Sequence, residues 1–255
     1  MSDRRSQAAI AFTVGTMALY LGRSTAALAY VKAGLQPLLV ASGVVLVGLG
    51  LVAAAQGGHD RHGHQPHGSR VAWLLALPPL ALVLVAPPAL GAFAASRQPI
   101  RPPPVLHPHP TGPSGPAAAT SGDAFAPLIP PGDGTAVPMA LGEYLARDDQ
   151  EPYTLAGVRI RLLGFVTPQH GGRDGYLLTR FAISCCAADA TALRVAIHGD
   201  PAPRAPDTWL EIEGRWQQRP RDHADQPASD TAILLAESVR TVKAPSEPYE
   251  RGLPF

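Results

Sequence analysis

Charge is scarce in this chain of 255 residues: Asp, Glu, Lys and Arg make up 16%, and their balance leaves a formal net charge of +1. A nucleic-acid surface needs a concentrated basic patch, so that class of partner is set aside. Aromatic residues are equally thin at 6%. There are only two cysteines, Cys185 and Cys186, and they are neighbours. Adjacency excludes the loop-closing bridges that staple small secreted domains. The familiar catalytic signatures are missing as well: no Gly-x-Ser-x-Gly elbow, no phosphate loop and no His-Glu-x-x-His helix. No enzymatic activity is therefore expected.

What the chain has is long apolar runs, three of them, all within its first 95 residues. Residues 6–22 are free of charge but short for ~30 Å of hydrocarbon. Arg4 and Arg5 precede them, and Ala27-Leu28-Ala29 follows with the small-x-small form of a signal-peptidase site. A cleaved signal would not need the second run, residues 35–55, which is long enough to span with its backbone bonded internally. The third, residues 71–95, contains Pro78-Pro79 and Pro87-Pro88, each of which removes backbone donors and kinks a helix. Residues 1–96 are thus expected to be a helical membrane region of about three spans. The flanking Arg and Lys residues nearly tie in the positive-inside count. The N-terminus is placed inside because the first helix usually dominates, which puts the C-terminal half outside the cytoplasmic membrane.

Between the second and third runs, residues 57–68 hold His59, His62, His64 and His67 with Asp60. Neutral imidazole suits zinc, copper and nickel, and a Gly-rich loop can wrap several imidazoles around one ion, weakly and exchangeably. The competing reading is a solvated polar loop. Residues 97–138 carry twelve prolines among Gly, Ala, Ser and Thr. That composition cannot form a packed core and reads as a semi-rigid tether.

From residue 139 to 255 the pattern is that of a folded domain. Met139, Leu141, Tyr144 and Leu145 give one apolar helical face. Val158, Ile160 and Leu162 alternate with Arg159 and Arg161 in a first strand. Residues 176–184, 193–197, 209–216 and 232–242 read as four more, with residues 170–175 and 199–201 as turns. Gly164 and Gly214 mark sharp bends. Five short strands behind a leading helix fit an all-β, OB-like small barrel, with an open sandwich as the competing architecture. In the barrel the first strand pairs antiparallel with the fourth, which would bring Arg159 and Arg161 against Glu211 and Glu213.

The second of these strands runs into Arg180-Phe-Ala-Ile-Ser-Cys-Cys-Ala-Ala-Asp-Ala190. Adjacent cysteines could ligate a soft metal, close a strained vicinal disulfide, or pack as small apolar residues. Successive side chains point to opposite faces of a strand, so a shared ion requires the strand to end at the pair. Two thiolates with Asp189 would make a compact site for zinc or another transition metal, which His198 or His170 could complete. Arg180, if close, would lower the thiol pKa.

Three apolar runs, a His-rich loop between the second and third, Ala-Pro-Pro-Ala-Leu-Gly at 86–91 and the Arg180-Phe-x-Ile-x-Cys-Cys-x-Ala-Asp-Ala190 motif together resemble the bacterial YcgQ-type (DUF1980) family in its actinobacterial form. The resemblance implies a multi-pass cell-membrane protein that works beside a multi-span permease subunit as a two-component transport system, linked to metal supply. It carries Arg180, Cys185, Cys186 and Asp189 over as site residues. The alternatives are a membrane-anchored thiol redox protein and a protein-interaction module without chemistry. The redox reading lacks the Cys-x-x-Cys spacing of a normal couple.

Overall fold

The computed structural model describes residues 2–56, 88–99, 125, 127–129, 132, 134–169, 175–218 and 231–251. They fall into two compact units, Met1–Ala89 and Leu90–Phe255.

The first unit pairs helix α1 (Ser2–Arg23) with α2 (Gln36–Gln56). Small residues recur every seven positions on both: Ala8, Gly15 and Gly22 on α1, Gly43 and Gly50 on α2. A Cβ added at Gly43 would lie 2.9 Å from the Gly15 carbonyl oxygen, and one at Gly15 would lie 2.8 Å from the Val47 nitrogen. The two backbones therefore touch along a seven-residue seam, the close approach that small side chains permit between helices in lipid. Away from the seam, Leu38, Val44, Val45, Leu49, Leu51 and Val52 are exposed.

Among the described residues one helical stretch, Ala33–Ala55, is long and apolar enough to cross a membrane. It is the second of the three expected runs, and the described residues do not support the full set of three. The apolar part of α1, Ala8–Arg23, is shorter, because Asp3, Arg4 and Arg5 occupy its first turn. At 1.5 Å per residue it reaches about 24 Å, short of ~30 Å of hydrocarbon. Most of residues 71–95 lies outside the described residues, as does the loop with His59, His62, His64 and His67. The end of that third run is a short helix, α3 (Ala92–Ser96), within the second unit.

The second unit is all-β around one interior core. Five strands, β2 (Arg159–Pro168), β3 (Tyr176–Ile183), β4 (Thr191–His198), β5 (Trp209–Gln217) and β6 (Ala232–Thr241), form a closed ring. The pairings β2–β3, β3–β4, β5–β6 and β2–β5 are antiparallel, and β4–β6 is parallel. The period of two places Ile160, Leu162, Leu178, Val195, Leu210, Ile212 and Leu234 inside, each contributing roughly 1.5–3 kcal/mol by leaving water. Outside, Arg161 pairs with Glu213 at 2.9 Å and stands 4.0 Å from Glu211, while Arg159 stands 3.6 Å from Glu213. The cross-strand contacts expected of first and fourth strands are thus present. Gly214 sits at a register shift, where an added Cβ would overlap the Leu235 carbonyl, so the bend there requires glycine.

Two short strands that the sequence reading did not anticipate flank the ring: β1 (Val137–Pro138) beside β2 and β7 (Tyr249–Arg251) beside β3. The leading helix, α4 (Leu141–Gln150), buries Leu141, Tyr144 and Leu145 in the core. Its N-terminus is capped by a distant residue: the buried Glu250 carboxylate accepts the Leu141 amide at 2.7 Å and the Gly142 amide at 3.0 Å.

Residues 90–99 pack on the ring as a strap. Leu90 donates its amide to the Tyr249 hydroxyl (3.1 Å), and Asp207 caps α3 by accepting the Ala92 amide (2.6 Å). Arg194 binds the carbonyls of Ala95, Gln98 and Pro99. Residues 97–99, assigned above to the tether, are therefore held on this unit.

Candidate metal centre

Strand β3 ends at Ile183, and the chain turns through Ser184, Cys185 and Cys186 into a single 3-10 turn, Ala187–Asp189. Asp189 builds this turn around its own carboxylate. Oδ1 accepts the Ser184 amide at 2.9 Å, and Oδ2 accepts the amides of Cys185 at 2.7 Å and Cys186 at 3.4 Å. The Asp189 amide donates to the Cys186 carbonyl at 3.1 Å, and the Cys186 sulfur also accepts it while the Asp189 carboxylate accepts the Cys186 amide, a reciprocal capping box with Cys186 as the N-cap. Because the strand has ended, the two side chains no longer diverge: the sulfurs lie 3.6 Å apart.

The electrostatics of the loop follow from this geometry. A hydrogen bond from the Cys185 thiol, followed by the amide donors, holds the Asp189 carboxyl below the usual range. The same bond works against the thiol. With the Asp189 carboxylate as its acceptor and the Cys186 sulfur beside it, the Cys185 thiol is pushed up to about 12. Cys185 is exposed, Cys186 is half-buried, and no disulfide joins them.

One sulfur from each cysteine and one oxygen of Asp189 all lie within 4.8 Å of one another, so the group could hold a metal ion. Tetrahedral zinc, with Zn–S bonds near 2.3 Å, sets two sulfurs about 3.8 Å apart. The observed 3.6 Å is close to that edge. Two soft donors and one hard donor suit a borderline transition metal, and an exposed three-donor set leaves a coordination position open.

The remaining site residues of the sequence reading lie elsewhere. Arg180 does not serve the thiols: its guanidinium donates to the carbonyls of Glu247 (2.9 Å) and Pro248 (3.3 Å) and stands 4.0 Å from Glu250. The expectation that it lowers a thiol pKa is corrected on both counts, since the Cys185 pKa is raised and its causes are Asp189 and Cys186. His198 is at the far end of β4, seven residues beyond Thr191, or about 23 Å at strand rise. It lines an open cleft of about 950 Å³ with Tyr176, Asp200 and Arg204, and cannot complete the cysteine site. His170 and the four histidines at 59, 62, 64 and 67 lie outside the described residues. The sequence reading had Asp189 as a donor to the ion; what it missed is that the same carboxylate organises the loop through three successive amides. The signal was its spacing: an Asp four residues past a strand-ending Ser-Cys can reach back to three successive amides.

Residues 143–250 match the family model described as the DUF1980 C-terminal domain. No curated protein matches the chain.

Proposed function

We propose, for a chain whose residues 143–250 match the DUF1980 C-terminal domain, that it is a membrane-anchored accessory subunit of a two-component permease system. In this reading the β domain presents a metal-handling site made of Cys185, Cys186 and Asp189. The protein carries out no catalytic step of its own. The strand order of the ring fits an OB-type barrel, a scaffold that commonly carries its sites on loops between strands.

The observation that carries the reading is an exposed strand end with three convergent donors and an open position. An ion there is released readily, as a hand-over site requires and a closed structural site does not allow. When bound, zinc or another borderline metal would supply a charge that replaces the Cys185 proton. Binding is therefore coupled to proton release and strengthens as pH rises. The same raised thiol pKa weighs against a redox function, which relies on a lowered one. The apolar helical stretch Ala33–Ala55 supports anchoring, and the partner that fits an accessory role is a multi-span permease subunit in the same membrane. Carrying over the inside placement of the N-terminus from the sequence, this reading puts the β domain on the extracytoplasmic side.

The test is the metal content of the full chain in detergent after dialysis against zinc, with and without Cys185→Ser and Cys186→Ser. Loss of about one equivalent on either substitution is expected, and equal content in all three proteins would refute the site. Copurification with a permease subunit tests the partner.

A further inference from the structure

We infer that the strap, residues 90–99, pre-organises the metal loop, with Gln98 as its positioning residue. This rests on the reading of Cys185, Cys186 and Asp189 as a metal site.

The Gln98 side chain pairs with the backbone on the exit side of the loop, one residue past Asp189. Its Nε2 donates to the Ala190 carbonyl at 2.8 Å, and its Oε1 accepts the Ala192 amide at 2.8 Å. The amide thus stands in for a neighbouring strand where β4 begins. Gln98 is itself held from behind, since Arg194 of β4 donates to its carbonyl at 2.9 Å and to those of Ala95 and Pro99. The other end of the strap reaches the entry side of the loop. Leu90 bonds the Tyr249 hydroxyl, and Tyr249 pairs in register with Phe181 of β3, which leads into Cys185. Both stems of the cysteine loop are therefore fastened to one ten-residue segment.

The physical consequence concerns order. Residues 184–190 are a short loop in which the Asp189 carboxylate accepts three successive amides, those of Ser184, Cys185 and Cys186, so a metal that draws on that carboxylate loosens part of what holds the loop. The strap bonds do not involve Asp189 and persist. They carry the conformational cost that the ion would otherwise meet on binding. Linkage makes the effect mutual: an ordered strap tightens metal binding, and bound metal orders the strap. The strap follows directly on the apolar run of residues 71–89, so metal occupancy is coupled to the segment that connects the β domain to that run.

The experiment uses the full chain in detergent, with Cd(II) alone as the probe. The cadmium–thiolate absorption band reports sulfur ligation, and the chain has only these two cysteines. Gln98→Ala is expected to weaken Cd(II) binding about tenfold, and Gln98→Glu, which keeps the acceptor for Ala192, by less. Independently of any variant, Cd(II) is expected to slow amide exchange in residues 90–99 of the wild-type chain. A normal band with equal affinity in wild type and Gln98→Ala, and unchanged exchange in the strap, would overturn the inference and leave the metal site standing. A wild-type chain with no thiolate band would instead remove the metal site, and the inference with it.

Discussion

Replacing Asp189 with Asn should make Cys185 more reactive, although it removes a charge rather than adding one. In the wild-type loop the carboxylate accepts the Cys185 thiol, and its negative charge opposes a thiolate beside it, raising the thiol pKa from an ordinary 9.0 to about 12. A return to the ordinary value would multiply the thiolate fraction at neutral pH by about a thousand. Intrinsic nucleophilicity falls as the pKa falls, with a Brønsted slope of about 0.4–0.5, and this cancels about 16-fold to 32-fold of that gain. A net acceleration of about 30-fold to 60-fold remains. Water around an exposed loop screens part of the carboxylate's effect, and the Cys186 sulfur still accepts from Cys185, so about tenfold is the expected observation. The Asn side chain keeps an oxygen for the Ser184 or Cys185 amide, which limits unfolding of the turn. The assay is iodoacetamide alkylation of the full chain, with Cys185 and Cys186 resolved by peptide mass, between pH 6 and 10. Wild-type Cys185 should accelerate about tenfold per pH unit throughout, whereas Asp189→Asn should level off near pH 9. Equal or slower alkylation of Cys185 in the variant would show that the carboxylate does not hold the proton, and the proton-coupled account of the loop would fail.

Other consequences can be checked by unfolding. Glu250→Gln leaves one of the two α4 amides without an acceptor and should cost about 1–3 kcal/mol in denaturant titrations. Burial raises the Glu250 pKa, so this group favours the fold below the ordinary carboxyl value of 4.5 and the contribution fades as pH rises through the raised value. That decline should be absent from the pH dependence of Glu250→Gln. Leu162→Ala, in the core, should cost about 2–5 kcal/mol. Arg161→Ala, on the outer face, should cost less than about 1 kcal/mol and lose that effect in high salt; a larger, salt-independent loss would contradict the reading of a solvent-screened, half-exposed ion ladder. In the helix pair, Gly43→Ile would push a side chain into Gly15 and Leu19. It should lower the thermal unfolding midpoint of the full chain in detergent, whereas Gly48→Ala, where an added Cβ meets nothing, should not; equal midpoints would contradict the seam.

Alternation along single strands was legible in the sequence because burial is local: Arg159, Ile160, Arg161 and Leu162 announce two faces within four residues. The antiparallel partnership with the strand holding Glu211 and Glu213 followed from the five-strand barrel topology, and the opposite charges on the two strands were its checkable consequence. The cysteine loop was legible for the same reason, since the Ala-Ala after Cys186 signalled the strand end that lets both sulfurs face one way. Long-range contacts left no such mark. Nothing near Arg180 predicts that it binds the carbonyls of Glu247 and Pro248, and nothing near Leu141 predicts a cap from Glu250, more than a hundred residues away. The strap misled for a different reason. Composition links residues 90–96 to an apolar run and residues 97–99 to a proline tract, while specific bonds to Asp207, Arg194 and Ala192 decide where they sit.

The central claim is that Cys185 and Cys186 ligate one ion together. Zinc K-edge absorption of the full chain, loaded with a single equivalent at pH 8, addresses it directly. Two sulfur scatterers near 2.3 Å are predicted, with oxygen or nitrogen filling the remainder of the shell. A shell composed only of nitrogen and oxygen would place the ion elsewhere and contradict the assignment.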